Sequence, residues 1–175
     1  MSLVVRLAGP RDLPALHALR HAVFVRGQGV PLELERDEHD AHCDHAVALL
    51  GGDVVGTGRL LAPHSAPAPR DPALSAPAHS TSAHRDPALS DPALVGPARI
   101  GRMAVADALR RRGVGSAVLT RLEERALERG WPAVELHAQA HARAFYELAG
   151  YLPVGQAYLE AGIEHLTMRK ALAVA

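Results

Sequence analysis

Apolar residues recur at every second position in Leu3, Val5 and Leu7, the period of a half-buried strand, so residues 3–7 are predicted as one. The period then changes. Leu13, Leu16, Leu19, Val23 and Phe24 recur at helical spacing behind a Gly9-Pro10 turn, with Asp12 placed to cap the helix and Gly27 or Gly29 placed to end it. Residues 45–50 and 54–61 read as two strands joined by Gly51-Gly52-Asp53, a sequence suited to a tight hairpin turn. Residues 98–105 form another strand. Residues 113–129 read as a helix with Val118, Leu119, Leu122 and Ala126 inward, stopped by Gly130 and Pro132. A strand at 133–138, a short helix at about 141–149 ending at Gly150, and strands at 151–158 and 163–170 complete the order βα, ββ, βα, βα, ββ. That order predicts a mixed α/β domain.

Residues 62–97 interrupt the pattern. They hold most of the chain's prolines, and the hexapeptide Arg-Asp-Pro-Ala-Leu-Ser stands at residues 70–75 and again at 85–90, with a third start at 91–94. This repeat is shorter than any solenoid unit, and its prolines prevent continuous helix or ladder pairing, so a low-complexity loop insertion is expected. The 175 residues are otherwise the length of one ordinary domain, and residues 1–175 are read as a single domain carrying this insertion at about 62–97.

Charge adds little at the level of the whole chain. Lys and Arg total 19, as do Asp and Glu, so nothing in the balance draws the protein to nucleic acid or an anionic membrane. Cys43 is the only cysteine, which excludes an intrachain disulfide and fits a reducing compartment. Gly9-Pro10-Arg11-Asp12 breaks the stretch where a signal peptide would need continuous apolar residues, and a cytoplasmic location is expected.

Local charge is more informative. Arg110-Arg111-Arg112-Gly113-Val114-Gly115-Ser116 follows one strand and opens a helix. Small residues there let backbone approach a ligand, the free N–H groups of the first helical turn point at it, and the arginines add positive potential, so a pyrophosphate would fit. The spacing is neither that of a dinucleotide fingerprint nor that of a P-loop. Glu33, Glu35, Asp37, Asp40 and His45 form an acidic cluster able to attract and deprotonate an ammonium group, or to serve simply as a solvated loop. Asp37, His39, Asp40, His42, Cys43, Asp44 and His45 also offer enough ligand atoms for a metal, although their dense spacing matches no closed zinc pattern.

The run from Arg99-Ile100-Gly101-Arg102-Met103-Ala104-Val105 through Arg110-Arg111-Arg112-Gly113-Val114-Gly115 resembles the acetyl-CoA motif of GNAT acetyltransferases, a strand followed by [QR]-x-x-G-x-[GA] and a helix. Ala144-Phe145-Tyr146-Glu147-Leu148-Ala149-Gly150-Tyr151 is similar to the family's A-x-x-F-Y-E-x-x-G-F segment. Residues 24–31, the acidic cluster, His137-Ala138-Gln139 and residues 160–165 resemble the ElaA-like branch. Gly27 departs from that branch, which has Glu before Gln, and Gln139 stands where most GNAT proteins have an Asn that holds pantetheine.

The resemblance implies a largely antiparallel mixed sheet, flanked by helices and splayed at the acetyl-CoA strand. It assigns Met103, Ala104 and Val105 to pantetheine, residues Arg110 to Ser116 to the pyrophosphate, and Gln139 and Tyr146 to the donor as well. Tyr146 is the implied general acid for the departing thiolate, and Glu35 and Asp37 are candidates for the base. Gln28, Glu33, Asp40, His45, Glu160 and His165 are candidates for binding the acceptor, Glu160 and His165 being candidates for the base too. The expected reaction is direct acetyl transfer from acetyl-CoA to a small-molecule or peptide primary amine in a ternary complex, without metal, nucleic acid or membrane, and compatible with a homodimer. Two rivals remain open: a catalytically idle acyl-CoA-binding module, and a metal-binding interaction protein using residues 37–45.

Overall fold

The computed structural model describes residues 2–63, 96–160 and 162–173. Seven strands form one sheet in the order β1-β2-β3-β4-β5-β7-β6: β1 Leu3–Leu7, β2 Asp44–Leu50, β3 Asp53–Leu61, β4 Ala98–Val105, β5 Ala133–Gln139, β6 Leu152–Glu160 and β7 Ile163–Ala171. Every neighbouring pair is antiparallel except β4 and β5. The helices are α1 Leu13–Arg20, continued by a π-helical turn at His21–Arg26, then a single turn α2 at Leu32–Glu35, α3 Val114–Glu128 and α4 Arg143–Leu148. This is the mixed α/β architecture that the hydrophobic pattern predicts, with the largely antiparallel sheet that the resemblance implies. The expected proline-rich insertion lies almost wholly outside the described residues.

Two local expectations change. Asp12 does not cap α1; its carboxylate instead accepts from the Gly9 N–H at 2.7 Å and pairs with Arg6, because a short 3-10 turn at Pro10–Asp12 moves the start of the helical segment back by a turn. Tyr151 precedes β6 rather than lying within it, and is fully buried. The hairpin between β2 and β3 follows expectation. Gly51 and Gly52 take φ of 63° and 97°, the two positive values that a tight hairpin turn requires.

Strand β3 is covered on both faces. Successive side chains of a strand point to opposite sides, so Gly56 and Gly58 face one way, while Thr57 and Arg59 face the other. A Cβ at Gly56 would lie 2.6 Å from Val114 Cγ1, and one at Gly58 would lie 2.9 Å from Leu122 Cδ1, so α3 rests directly on this stretch of backbone. Arg59 points to the side of α1 and α2, where its charge meets acidic partners. Between these layers Val118, Leu119 and Leu122 of α3 pack with Ala46, Ala48, Leu60 and Ile100 of the sheet, all essentially without exposure.

The sheet changes character at the middle of β4. Arg59 pairs with Gly101 and Thr57 with Ala104, so Arg102 and Met103 together oppose Gly58, a β-bulge of one extra residue. Arg102 adopts φ 53°, a left-handed conformation that is uncommon for a residue with a side chain. On its other edge β4 pairs with β5 only at Ala98, Ile100 and the intervening Arg99, opposite Val134, Leu136 and Glu135. Past that point the two strands part, while β5 stays paired with β7 along its full length. No helix among the described residues is long and apolar enough to cross a membrane.

The Met103 side chain occupies the space above Gly58, where a Cβ would collide with its sulfur. Gly58→Ala should therefore cost about 1–3 kcal/mol, the usual penalty of overpacking, read as a lowered urea midpoint. An unchanged midpoint would show that the contact between β3, the bulge and α3 is loose.

Candidate active site

Where β4 and β5 part, a cavity of about 810 Å³ opens. Gly101, Arg102, Met103 and Val105 of β4 form one wall, and Leu136, His137 and Gln139 of β5 form the opposite one. Among the described residues, the backbone groups of β4 that face β5 have no strand partner from Gly101 onward, so an extended ligand can pair with them as an added strand would. Val23 and Phe24 of the π-helical turn, and Leu34 and Glu35 of α2, close the cavity from the α1 side.

The loop before α3 has a shape suited to holding an anion. Arg111 and Gly113 take φ of 60° and 80°, turning the chain sharply into the helix. The first bond within α3 runs from the Ala117 N–H to the Gly113 carbonyl at 3.0 Å, leaving the N–H groups of Val114, Gly115 and Ser116 beyond the reach of the helical ladder. Arg110, Arg111, Gly113, Gly115 and Ser116 line the cavity; Val114 points into the core, and Arg112 is exposed away from the lining. A Cβ on Gly115 would stand 3.5 Å from Phe145 and 3.6 Å from Val105, so this helix end is wedged between β4 and α4.

Tyr146 of α4 reaches the same cavity. Its ring is fixed edge-on between Phe145, at a centroid distance of 4.9 Å, and Tyr151, at 5.8 Å. Burial pushes its phenol up to about 12, so it holds its proton across the working pH range. Tyr151 is different: its hydroxyl donates to Glu123 at 2.9 Å inside the core, away from the cavity.

The far end of the β5-β7-β6 ladder brings His137, Glu160 and His165 onto the lining. The His165 Nδ1–H donates to the Ile163 carbonyl at 2.8 Å, which leaves Nε2 with a free lone pair in the neutral ring. Tyr158 stacks on His165 at 6.1 Å and meets His137 edge-on at 5.8 Å, holding both imidazoles in place. Gln28 and Gln139 exchange amide hydrogen bonds of 3.3 and 2.9 Å across the cavity and tie the end of the π-helical segment to β5.

The acidic cluster behaves otherwise. Arg20 is wholly buried and donates through Nε to Glu35, through Nη2 to the Glu35 carbonyl at 2.6 Å, and through both terminal nitrogens to Asp40 at 2.7 and 3.0 Å. Arg59 grips Asp37 with two bonds of 2.7 Å and Asp40 with one of 2.8 Å. Arg102 donates to the carbonyls of Leu34 and Glu35 at 2.5 and 3.0 Å, and to Asp37 at 3.3 Å. The hydrogen bonds and charge of Arg59 hold the Asp37 carboxyl below its ordinary range. For Asp40, burial acts in the opposite direction, and Arg20 and Arg59 together outweigh it, holding the carboxyl far down.

Of the acidic cluster, then, only Glu35 lines the cavity, and its carboxylate is engaged by Arg20. Asp37 and Asp40 lie off the lining with their oxygens occupied by arginines, an arrangement unsuited to taking a proton from an amine. Glu33 is exposed and off the lining. His45 is buried beside Asp40, its Nε2 donating to the Asp40 carbonyl at 3.1 Å, and it too lies off the lining. Asp40, Cys43 and His45 do converge, with one ligand atom each within 4.8 Å of one another. Two arginines already engage the Asp40 carboxylate, and burial pushes the Cys43 thiol up to about 11, so this donor set is poorly matched to a cation.

Sequence reasoning missed Arg20 and Arg59. A signal existed for the first: Arg20 stands four residues after Leu16 and three before Val23, inside the apolar stripe of the helix, where a cation needs a buried partner. Arg59 in a strand of buried residues carried the same message.

Comparison with known proteins bears on what this cavity does. Two models described as "Acetyltransferase (GNAT) domain" match residues 89–172 and 19–120. The uncharacterized N-acetyltransferase YjcF of Bacillus subtilis is 30% identical over 153 residues, covering 87% of each chain. Protein ElaA of Escherichia coli is 39% identical over 72 residues, 40% of this chain and 46% of ElaA; its crystal structure superposes at a TM-score of 0.70 over 97% of this chain and 99% of that one, at 26% identity. The crystal structure of an acyl-CoA N-acyltransferase from Pseudomonas aeruginosa superposes at 0.67, with 29% identity and the same coverage.

Arg20→Met keeps the side-chain volume and removes the charge, stranding Glu35. Stability should fall by about 3–5 kcal/mol in urea unfolding; a loss below about 1 kcal/mol would show that the arginine does not hold α2. Because Asp37 and Asp40 are held below their ordinary values, the stability they add is complete above about pH 4 and is lost as pH falls toward their folded values.

Proposed function

The chain belongs to the GNAT acetyltransferase domain family, and we propose that it transfers an acetyl group from acetyl-CoA to a primary amine by direct attack within a ternary complex. The observation that carries this reading is the convergence on one cavity of an open strand edge at Met103–Val105, the arginines and free N–H groups of the helix start at Arg110–Ser116, and Tyr146. Residues 1–175 are proposed to act as one domain of this kind, with about 62–97 as an insertion.

The pyrophosphate of the donor is assigned to the N–H groups at the start of α3 and to Arg110 and Arg111, and its pantetheine to the open edge of β4. Gln139, held by Gln28, is placed to steady the pantetheine from the β5 side. A backbone N–H of the Met103–Val105 edge would meet the thioester oxygen and stabilise the oxyanion as it forms, usually the largest electrostatic contribution in acyl transfer.

His165 is the proposed base. Its Nε2 accepts a proton from the ammonium, and the free amine nitrogen then attacks the thioester carbon. Collapse of the tetrahedral intermediate breaks the C–S bond, the sulfur takes the proton of Tyr146, the amide nitrogen passes its second proton back to the Tyr146 phenolate, and His165 gives up the proton it holds. The products are the acetylated amine, CoA thiol and one proton released to solvent. No acyl-enzyme is required, and Cys43, off the cavity lining and with its thiol held protonated by burial, is not suited to form one.

Three outcomes test the assignment. Gly113→Val forces a branched residue into φ 80° and should weaken acetyl-CoA binding at least tenfold by calorimetry, since the loop must change shape; unchanged affinity would place the pyrophosphate elsewhere. Tyr146→Phe should lower kcat roughly 10²-fold while leaving acetyl-CoA affinity nearly unaltered. Because the acid must be protonated and burial raises it to about 12, kcat should show no descending limb below about pH 10. A limb centred lower would identify a different acid.

A further inference from the structure

Behind the segment that walls the cavity on the α1 side lies a group of titratable side chains that the proposed chemistry does not use. His45, near the start of β2, is 6% exposed, and its Nε2–H donates to the Asp40 carbonyl at 3.1 Å. That tautomer leaves a bare lone pair on Nδ1, which is buried and has no hydrogen-bond partner among the described residues. The His17 ring of α1 stands edge-on to it at a centroid distance of 6.4 Å, its own Nε2 likewise buried and unpartnered.

A proton added at Nδ1 would stand among cations. Arg20 of α1 and Arg59 of β3 both act on the His45 ring, and Arg20 and Arg36 act on His17. Asp40 pulls the other way, its Oδ1 4.0 Å from Nε2, but the same carboxylate already takes hydrogen bonds from Arg20 and Arg59. Cys43 Sγ lies 3.3 Å from Nε2 and brings no charge, since burial pushes its thiol up to about 11. Burial, with Arg20 and Arg59, holds His45 below its ordinary 6.5, and burial with Arg20 does the same to His17.

The element bonded to the His45 ring is the 3-10 turn at Glu38–Ala41, three of whose four residues are exposed. Lifting this turn wets the imidazole while uncovering little apolar surface. It also withdraws Asp40 from Arg20, the guanidinium that holds Glu35, and Glu35 lines the cavity beside Leu34. We propose that residues 32–42 form an acid-released wall: protonation of His45 lifts the Glu38–Ala41 turn, and α2 with Leu34 and Glu35 comes loose from the cavity. The device belongs to the wall itself and operates whatever the cavity binds. In the closed wall His45 is neutral, and in the open one it titrates at its ordinary value. The closed form therefore loses ground as pH falls below about 6.5, well above the range where Asp37 and Asp40 take up protons.

With an ordinary value of 6.5 in the open form, lowering the pH from 7.5 to 5.5 multiplies the opening equilibrium about tenfold. Hydrogen exchange of the full-length protein reads this opening once intrinsic exchange rates are divided out. Protection of the Glu35, Arg36, Asp40 and His42 amides, which bond to the carbonyls of Pro31, Leu32, Asp37 and His39, should fall about tenfold, while that of Leu119 and Leu122 in α3 stays level. His45→Gln keeps an N–H donor for the Asp40 carbonyl without a titrating ring, and should hold protection level over the same range. Should that variant fail to fold, the His45 ring signals in the NMR spectrum of the unaltered protein take its place: their midpoint should lie below 6.5, and one at or above 6.5 overturns the proposal. Level protection of residues 32–42 in the unaltered protein, an equal fall in α3, or an undiminished fall in His45→Gln overturns it too.

Discussion

One extra residue in β4 sets the shape of the molecule. Opposite Gly58 the strand carries both Arg102 and Met103, and the bulge bends β4 just where its short parallel pairing with β5 ends. Parallel strands joined through α3 could have stayed together for their full length, and the cavity would then be closed by ladder hydrogen bonds. Instead β5 follows β7, β4 follows β3, and the gap between them exposes backbone groups in a site walled by side chains. Gly58 permits the bulge by leaving room for Met103.

The bulge also has a long reach. Arg102 sits in a left-handed conformation, and its side chain crosses to the carbonyls of Leu34 and Glu35. Arg20 and Arg59 secure the same segment from below through Glu35, Asp37 and Asp40. Burying three guanidinium groups and three carboxylates adds little net stability compared with an apolar core of the same volume, because the desolvation cost is large. What the network supplies is position: a segment of mostly exposed residues with little apolar area of its own is held over the cavity in one place.

The parts of this structure written in hydrophobic period were legible in the sequence. The alternation in residues 3–7, the Gly-Gly turn and the stripe of Val118, Leu122 and Ala126 each depend on neighbours a few positions away, so strand and helix order followed from them. Tyr146 and the turn at Arg110–Ser116 were legible because their chemistry is contained in short contiguous segments. The arginine network was not. Arg20, Glu35, Asp40, Arg59 and Arg102 are scattered over more than 80 positions, and a run of acidic residues reads equally well as a solvated loop or as a source of catalytic base until their partners are seen. The same applies to His165, whose orientation is set by a backbone carbonyl two residues away and by a ring on the neighbouring strand. Asp12 was misread for a smaller reason, a 3-10 turn that no periodicity announces.

Salt separates the two kinds of arginine in this protein. Arg110 and Arg111 are exposed, and their attraction for an anion works through solvent, where the Debye length at physiological ionic strength is only about 8 Å. Arg20 and Arg59 meet Asp40 in the protein interior, largely out of the reach of mobile ions. On the proposed reading, rising salt would loosen the grip on the donor's phosphates while leaving the segment over the cavity in place, so that the binding of one substrate would become sensitive to ionic conditions and the form of the chamber that receives it would not.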